Sequence, residues 1–504
     1  MRTGRNLLAG VLGSLLTTLV GLAVIPFYLS HLGIEAYGVI GFFVTAQALL
    51  QLLDMGVAPT VNREIARFTA SNAIPEARKL LRTLEVINWS AATLIAVVIL
   101  ALAELVSAHW LQSQTLTSST LSNSVRLMAL VIAFRWPVAM YQAALIGLQR
   151  LDLASGLGAA MTIVGNLGAV AVLTYVSPRL EVFFLWQIAM ALIYMLVMRG
   201  MAWKLLGREP KTRFDVASLR RVWRFSAGLS GIAVSALILT QLDKVLLSRI
   251  LALPNFGHYM LATTIAGGFS AVLFTPAFNL VYPLFSGLIA RGDTPALERS
   301  YRFGTRLLVT VLFPMAMFVA LMSHDLLKIW TGNVEVAAGV APLLTLLAIG
   351  AALHGVMYFP YALQLASGMT ALPLRINAIL LTVMIPLIMY LAPTYGAVGG
   401  ALAWVILNAL YVPLGTWMTH RTLLKGLATR WLFVDVGIPA LFALFIGGLG
   451  HVVLQRLGDH VMPRVAFGVA CAVALAFVSV LVSPSILIEI ERRARRSQAT
   501  TTHP

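Results

Sequence analysis

Four ionisable side chains, Asp54, Arg135, Asp243 and Lys244, sit well inside stretches that are otherwise almost wholly apolar. On insertion scales each ionised group costs roughly 2.5–3.5 kcal/mol at the centre of a membrane helix, so such residues mark a pathway by default. On a helix turning about 100° per residue, Ser226, Ser230, Thr240, Gln241, Lys244 and Ser248 share one sector, with Asp243 at its margin. Leu242 and Leu246 point the other way, so the polar stripe is expected to line an aqueous cleft. Side chains at adjacent positions diverge, and Asp243 and Lys244 are therefore expected to find separate partners rather than each other.

The chemistry these residues offer is anion recognition. Arg135 presents a bidentate fork for a phosphate, Lys244 a point charge, and Arg126 a further cation nearer a helix end. Asp54 and Asp243 would pair with those cations while the cleft is empty, or take protons. The alternative is that the acids simply bolt helices together. Asn166, Asn279, Gln187, Asn408 and His354 read as interhelical hydrogen-bonders, and Asp435 lies near a helix end, where snorkelling to water is easy.

Composition dictates the elements that must hold these groups. The chain has 504 residues, 59% hydrophobic and 11% charged, with a mean hydropathy of +0.88, which makes it an integral membrane protein. About 20 apolar residues at 1.5 Å rise cross a ~30 Å hydrocarbon core. Fourteen such runs occur, near 7–29, 38–62, 84–107, 124–148, 153–176, 180–203, 225–250, 259–287, 304–323, 336–366, 371–392, 396–420, 431–454 and 465–489. None alternates in polarity, so the fold is all-α rather than a barrel. The first run is too long for a cleavable signal and is kept as a helix.

Of the 36 Lys and Arg, 28 fall at the N-terminus, the even-numbered loops and the C-terminal tail, and five on the opposite side. This asymmetry predicts both termini in the cytoplasm and an even helix count. The net charge of +17 then reports topology and requires no nucleic acid. A single cysteine, Cys471, leaves no intrachain disulfide and no thiolate metal site, and no cofactor or metal is expected. No G-x-x-x-x-G-K-[ST] motif occurs, which disfavours an ATP-driven pump.

The sequence repeats itself at an offset near 220 residues. "YLSHLGIEAYGVIGFFVTA" from Tyr28 matches "LLSRILALPNFGHYMLATT" from Leu246, and Gly147 after Tyr141 matches Gly368 after Tyr361. Two parallel six-helix copies place a site near mid-membrane. The expected organisation is a first bundle over 1–205, a cytoplasmic linker with an interfacial helix over 206–224, a second bundle over 225–425, two extra helices over 426–490 and a basic tail over 491–504.

"PFYLSHLGIEAYGVIGFF", "LLDMGVAPTVNREIAR" and "LDKVLLSRILALPNFGHYMLA" resemble bacterial polysaccharide flippases of the O-antigen and exopolysaccharide type, within the multidrug/oligosaccharidyl-lipid/polysaccharide exporter superfamily. The resemblance implies a V-shaped two-bundle transporter in the bacterial inner membrane, not an enzyme. It would move an undecaprenyl-diphosphate-linked oligosaccharide from the cytoplasmic to the periplasmic leaflet by alternating access. It also implies action as a monomer, with a polysaccharide polymerase and chain-length proteins as candidate partners. On this reading Arg135, Lys244 and Arg126 serve the head group together with Gln241 and Ser248. A cation-coupled drug exporter of the same superfamily is the nearest alternative. A membrane glycosyltransferase or polymerase is further off, because the periplasmic loops carry few carboxylates.

Overall fold

The computed structural model describes residues 16–50, 57–207, 234–458 and 460–481. Asp54, Ser226, Ser230, the linker helix expected over 206–224 and the tail over 491–504 lie outside them, except for 206–207. By internal contacts the chain divides into two compact units, Met1–Met260 and Leu261–Pro504.

The first unit holds α1 (16–23), α2 (Ile25–Leu50), α3 (Val57–Ala70), α4 (Ile74–His109), α5 (Ser118–Arg135), α6 (Val138–Gly147), α7 (Leu151–Tyr175), α8 (Leu180–Leu206), α9 (234–250) and the start of α10 (Leu253–Phe269). In the second unit α10 continues through a π-helical turn at Ser270–Phe274 into α11 (Thr275–Ala290). Then come α12 (Thr294–Thr331), α13 (Val334–Val356), α14 (Tyr358–Ala366), α15 (Ala371–Thr422), α16 (Ala428–Arg430), a second π turn at Trp431–Gly437, α17 (Ile438–Arg456) and α18 (Val461–Leu481).

Among the described residues eleven helices are long and apolar enough to cross a membrane. Where the fourteen apolar runs fall on described residues they fall on helices: α15 contains the eleventh and twelfth, α2 holds the end of the first and the start of the second, and α9 the described part of the seventh. The divisions fall at Gly33 (φ 80°) in α2 and Gly396 (φ 60°) in α15. Positive φ is nearly free for glycine and costly for residues with a Cβ, so the chain kinks there between two helices without a loop. The eighth run begins at Leu253, earlier than the apolar pattern indicates, because "LPNFG" is helical.

The repeat has a structural consequence inside the first unit. A Cβ on Gly38 would lie 2.6 Å from the Leu253 carbonyl oxygen, and a Cβ on Gly257 2.3 Å from that of Ile34. The two aromatic-Gly positions matched by the repeat therefore pack against each other reciprocally, each glycine facing the residue four before the other. Lipid offers no hydrophobic drive for helix association, so such small-residue crossings and buried polar ties carry the packing.

Two cores result. In the first unit Val61, Ile65, Leu81, Tyr141, Ala144 and Met198 join α3, α4, α6 and α8. In the second, Phe285, Tyr301, Leu312, Phe359, Trp431 and Leu475 centre on α12, against which the additional helices α17 and α18 pack.

Candidate functional site

A cavity of about 450 Å³ opens in the first unit between α2, α5, α6, α7 and α8. Its polar lining includes Gln47, Arg135, Gln142, Asn166, Gln187 and Tyr194. Arg135 is the last residue of α5, with Trp136 as C-cap and Pro137 next. Proline lacks the N–H that would continue the ladder. The break turns α5 into α6 and holds a cation at a helix C-terminus, the end that favours positive charge.

The guanidinium is held from two sides. Nη1 donates to Gln47 Oε1 at 3.2 Å and Nη2 to Gln187 Oε1 at 2.8 Å, and the Phe43 ring lies under it at 5.9 Å. Among the described residues no carboxylate comes within ion-pair distance of it, so neutral amides orient the fork and leave its charge uncompensated. Tyr28, Phe183, Phe184 and Phe43 form an edge-to-face chain with ring centroids 5.3–5.6 Å apart, and Tyr28 donates its hydroxyl to the Asn166 carbonyl at 3.3 Å. The result is a pocket in which, among the described residues, Arg135 meets amides and aromatic walls but no carboxylate. It can bind an anion whose surroundings are polar. Gln187 and Asn166, read from the sequence as interhelical bonders, line this cavity.

The other predicted site residues lie elsewhere. Contrary to expectation, Asp243 and Lys244 pair with each other. Lys244 Nζ lies 3.1 Å from Asp243 Oδ1 and donates to the Thr240 carbonyl at 2.6 Å. Angular divergence at Cβ does not prevent this, because the long lysine stem folds back along its own helix. Asp243 has in addition a separate partner, the Tyr259 hydroxyl at 2.6 Å. Ser248 is buried and accepts from Trp110 Nε1 at 3.0 Å. Gln241 is half-buried on α9. Arg126 pairs with Glu104 at 2.7 Å across an exposed edge of α4 and α5.

The burial of Glu85 and Asp435 is not legible in the sequence. Glu85 on α4 accepts from Tyr141, Arg199, Trp203 and Arg82. Asp435, expected near water, is fully buried and takes Arg302 Nε at 2.8 Å and Arg306 Nε at 2.6 Å. The Arg82/Glu85 and Arg302/Arg306 spacings are the available signal, one helical turn apart at the edges of apolar runs. No group of residues able to hold a metal ion occurs among the described residues.

This arrangement of helices is that of a known class of transporters. The chain superposes on the lipid II flippase MurJ in an inward closed conformation with a TM-score of 0.69 at 13% identity, covering 95% of this chain and 100% of that one. It is similar to an inward-facing multidrug resistance MATE family transporter of the MOP superfamily (TM-score 0.66, 14% identity, 80% of this chain and 94% of the other). It is also similar to the Vibrio cholerae MATE transporter VcmN (0.57, 14%, 84% and 98%). No curated protein matches it in sequence. Residues 32–334 match the family described as Polysaccharide biosynthesis protein, and the chain belongs to that family.

Proposed function

We propose that this protein is a flippase that carries an undecaprenyl-diphosphate-linked oligosaccharide from the cytoplasmic to the periplasmic leaflet of the inner membrane by alternating access. The observation that carries this reading is Arg135, oriented by two amides with no carboxylate within ion-pair distance among the described residues, in a polar pocket of the first unit. Membership in a polysaccharide biosynthesis family supports a cargo that carries sugars. A diphosphate bound at the fork would meet two parallel N–H donors, and the surrounding amides and aromatic rings suit a sugar. At about 450 Å³ the pocket takes a head-group portion rather than a whole glycan. Lys244 contributes only where its contact with Asp243 opens, which makes Arg135 the primary seat.

On the same reading both termini are cytoplasmic, the protein acts as a monomer, and a polymerase and chain-length proteins receive its product. A cation-coupled exporter of the same fold fits less well, since its cargo would meet a cation. The test is a deletion strain complemented with variants. Loss of the gene should accumulate lipid-linked glycan in the inner leaflet and abolish surface polysaccharide. Arg135→Gln should reproduce this at normal membrane abundance. Arg135→Lys should lower export about tenfold, because a point charge replaces a fork whose charge-assisted bonds are worth roughly 1.5–3 kcal/mol each. Wild-type export by Arg135→Gln, or hypersensitivity to organic cations with surface polysaccharide intact as the deletion phenotype, would overturn the reading.

A further inference from the structure

The outer face of the first unit carries a groove of about 880 Å³ between α4 and α8, separate from the Arg135 cavity. One end is basic: Arg82 and Arg199 flank Glu85. The carboxylate is nearly inaccessible, with a side chain 3% exposed, while Arg82 and Arg199 are 44% and 38% exposed. Glu85 Oε1 accepts from Tyr141 at 2.6 Å, Arg199 Nε at 2.6 Å and Trp203 Nε1 at 3.3 Å, and Oε2 from Arg82 Nη1 at 2.8 Å. The acid therefore acts as a buried post that aims two guanidiniums at the groove. Two cations around one anion leave a net positive charge, and each guanidinium carries five donors in all, of which one bond goes to Glu85.

Beyond the arginines the groove runs along Val86, Trp89, Leu94, Val97 and Leu196, with Leu94 65% and Val97 56% exposed. From Arg82 to Val97 the helix rises about 22 Å at 1.5 Å per residue. That is about half of the ~40–45 Å bilayer including its head groups. The basic end then lies at head-group depth, and the apolar walls extend through one leaflet.

We infer that this groove binds an anionic phospholipid, with its phosphate on Arg82 and Arg199 and an acyl chain along α4. A zwitterionic lipid brings its own cation to the same place and cannot use the net charge. An anionic one can. The inference does not depend on what the protein transports.

The test uses the full-length protein extracted in mild detergent. Native mass spectrometry and thermal unfolding are compared after addition of phosphatidylglycerol, phosphatidylcholine or undecaprenyl phosphate. Phosphatidylglycerol should be retained and should raise the unfolding temperature, whereas phosphatidylcholine should do neither. Arg82→Gln, in which Glu85 keeps Arg199, Tyr141 and Trp203, should weaken phosphatidylglycerol binding about fivefold, the effect of one surface cation. Leu94→Trp, which fills the groove and leaves the charge cluster untouched, should also lower retention. Equal retention of the two phospholipids by the wild type would overturn the proposal, as would wild-type binding by both variants. Displacement of phosphatidylglycerol by equimolar undecaprenyl phosphate would also overturn it, reassigning the groove to the carrier lipid.

Discussion

Arg135 meets amide oxygens and remains available for an anion, whereas Lys244 is closed onto Asp243 and Thr240. The neighbours of each cation, rather than its charge alone, set its role. Removing one partner of a buried pair leaves an uncompensated charge and costs about 3–5 kcal/mol, while replacing both with apolar groups is often neutral. Asp243→Asn should therefore lower the unfolding temperature in detergent markedly, and Asp243→Asn combined with Lys244→Met should recover most of the loss. If the double variant is as unstable as the single one, the pair is not a self-contained unit, and Tyr259 or water has the larger share.

At the scale of elements, glycines and ion clusters decide where helices meet. Gly38 and Gly257 have no room for a side chain, with backbone oxygens at 2.6 and 2.3 Å from an added Cβ. Neither neighbour is a movable side-chain tip. Gly38→Val and Gly257→Val should each force α2 and α10 apart and sharply reduce folded protein recovered from the membrane. Gly21→Val, at a position with nothing within 4 Å, is the control that should be tolerated. In the second unit Asp435 ties the π turn before α17 to Arg302 and Arg306, and Trp431 donates to Thr305 at 3.0 Å. Asp435→Asn removes the carboxylate shared by two arginines that are 14% and 11% exposed. It should destabilise the second unit by about 3–5 kcal/mol and speed proteolysis around 424–430. Unchanged protease sensitivity would mean that α17 is held by its apolar contacts alone.

At the scale of the whole chain, the testable quantity is orientation. Reporter fusions after Lys79 and Arg496 should mark one side of the membrane as cytoplasm, and fusions after Gln114 and Tyr395 the other, because 28 basic residues against five set the bias. A C-terminus on the side opposite the cytoplasm would break the even helix count.

By itself the sequence determined those features that depend on local, additive properties. Hydropathy summed over about 20 residues located the helices among the described residues, and the aromatic-Gly repeat marked the two glycines that pack together. Arg135 stands out because a lone cation in apolar sequence is costly wherever it lies. Only the tertiary structure decided which polar groups meet. Angular position on one helix cannot show that a lysine stem bends back onto the preceding aspartate, or that Gln47 and Gln187 come from other helices to hold Arg135. Glu85 and Asp435 look peripheral in the sequence because nearness to a helix end suggests access to water. Burial depends instead on what packs over the acid: Tyr141 and Trp203 in one case, and Arg302 and Arg306 in the other, brought from positions more than fifty residues away.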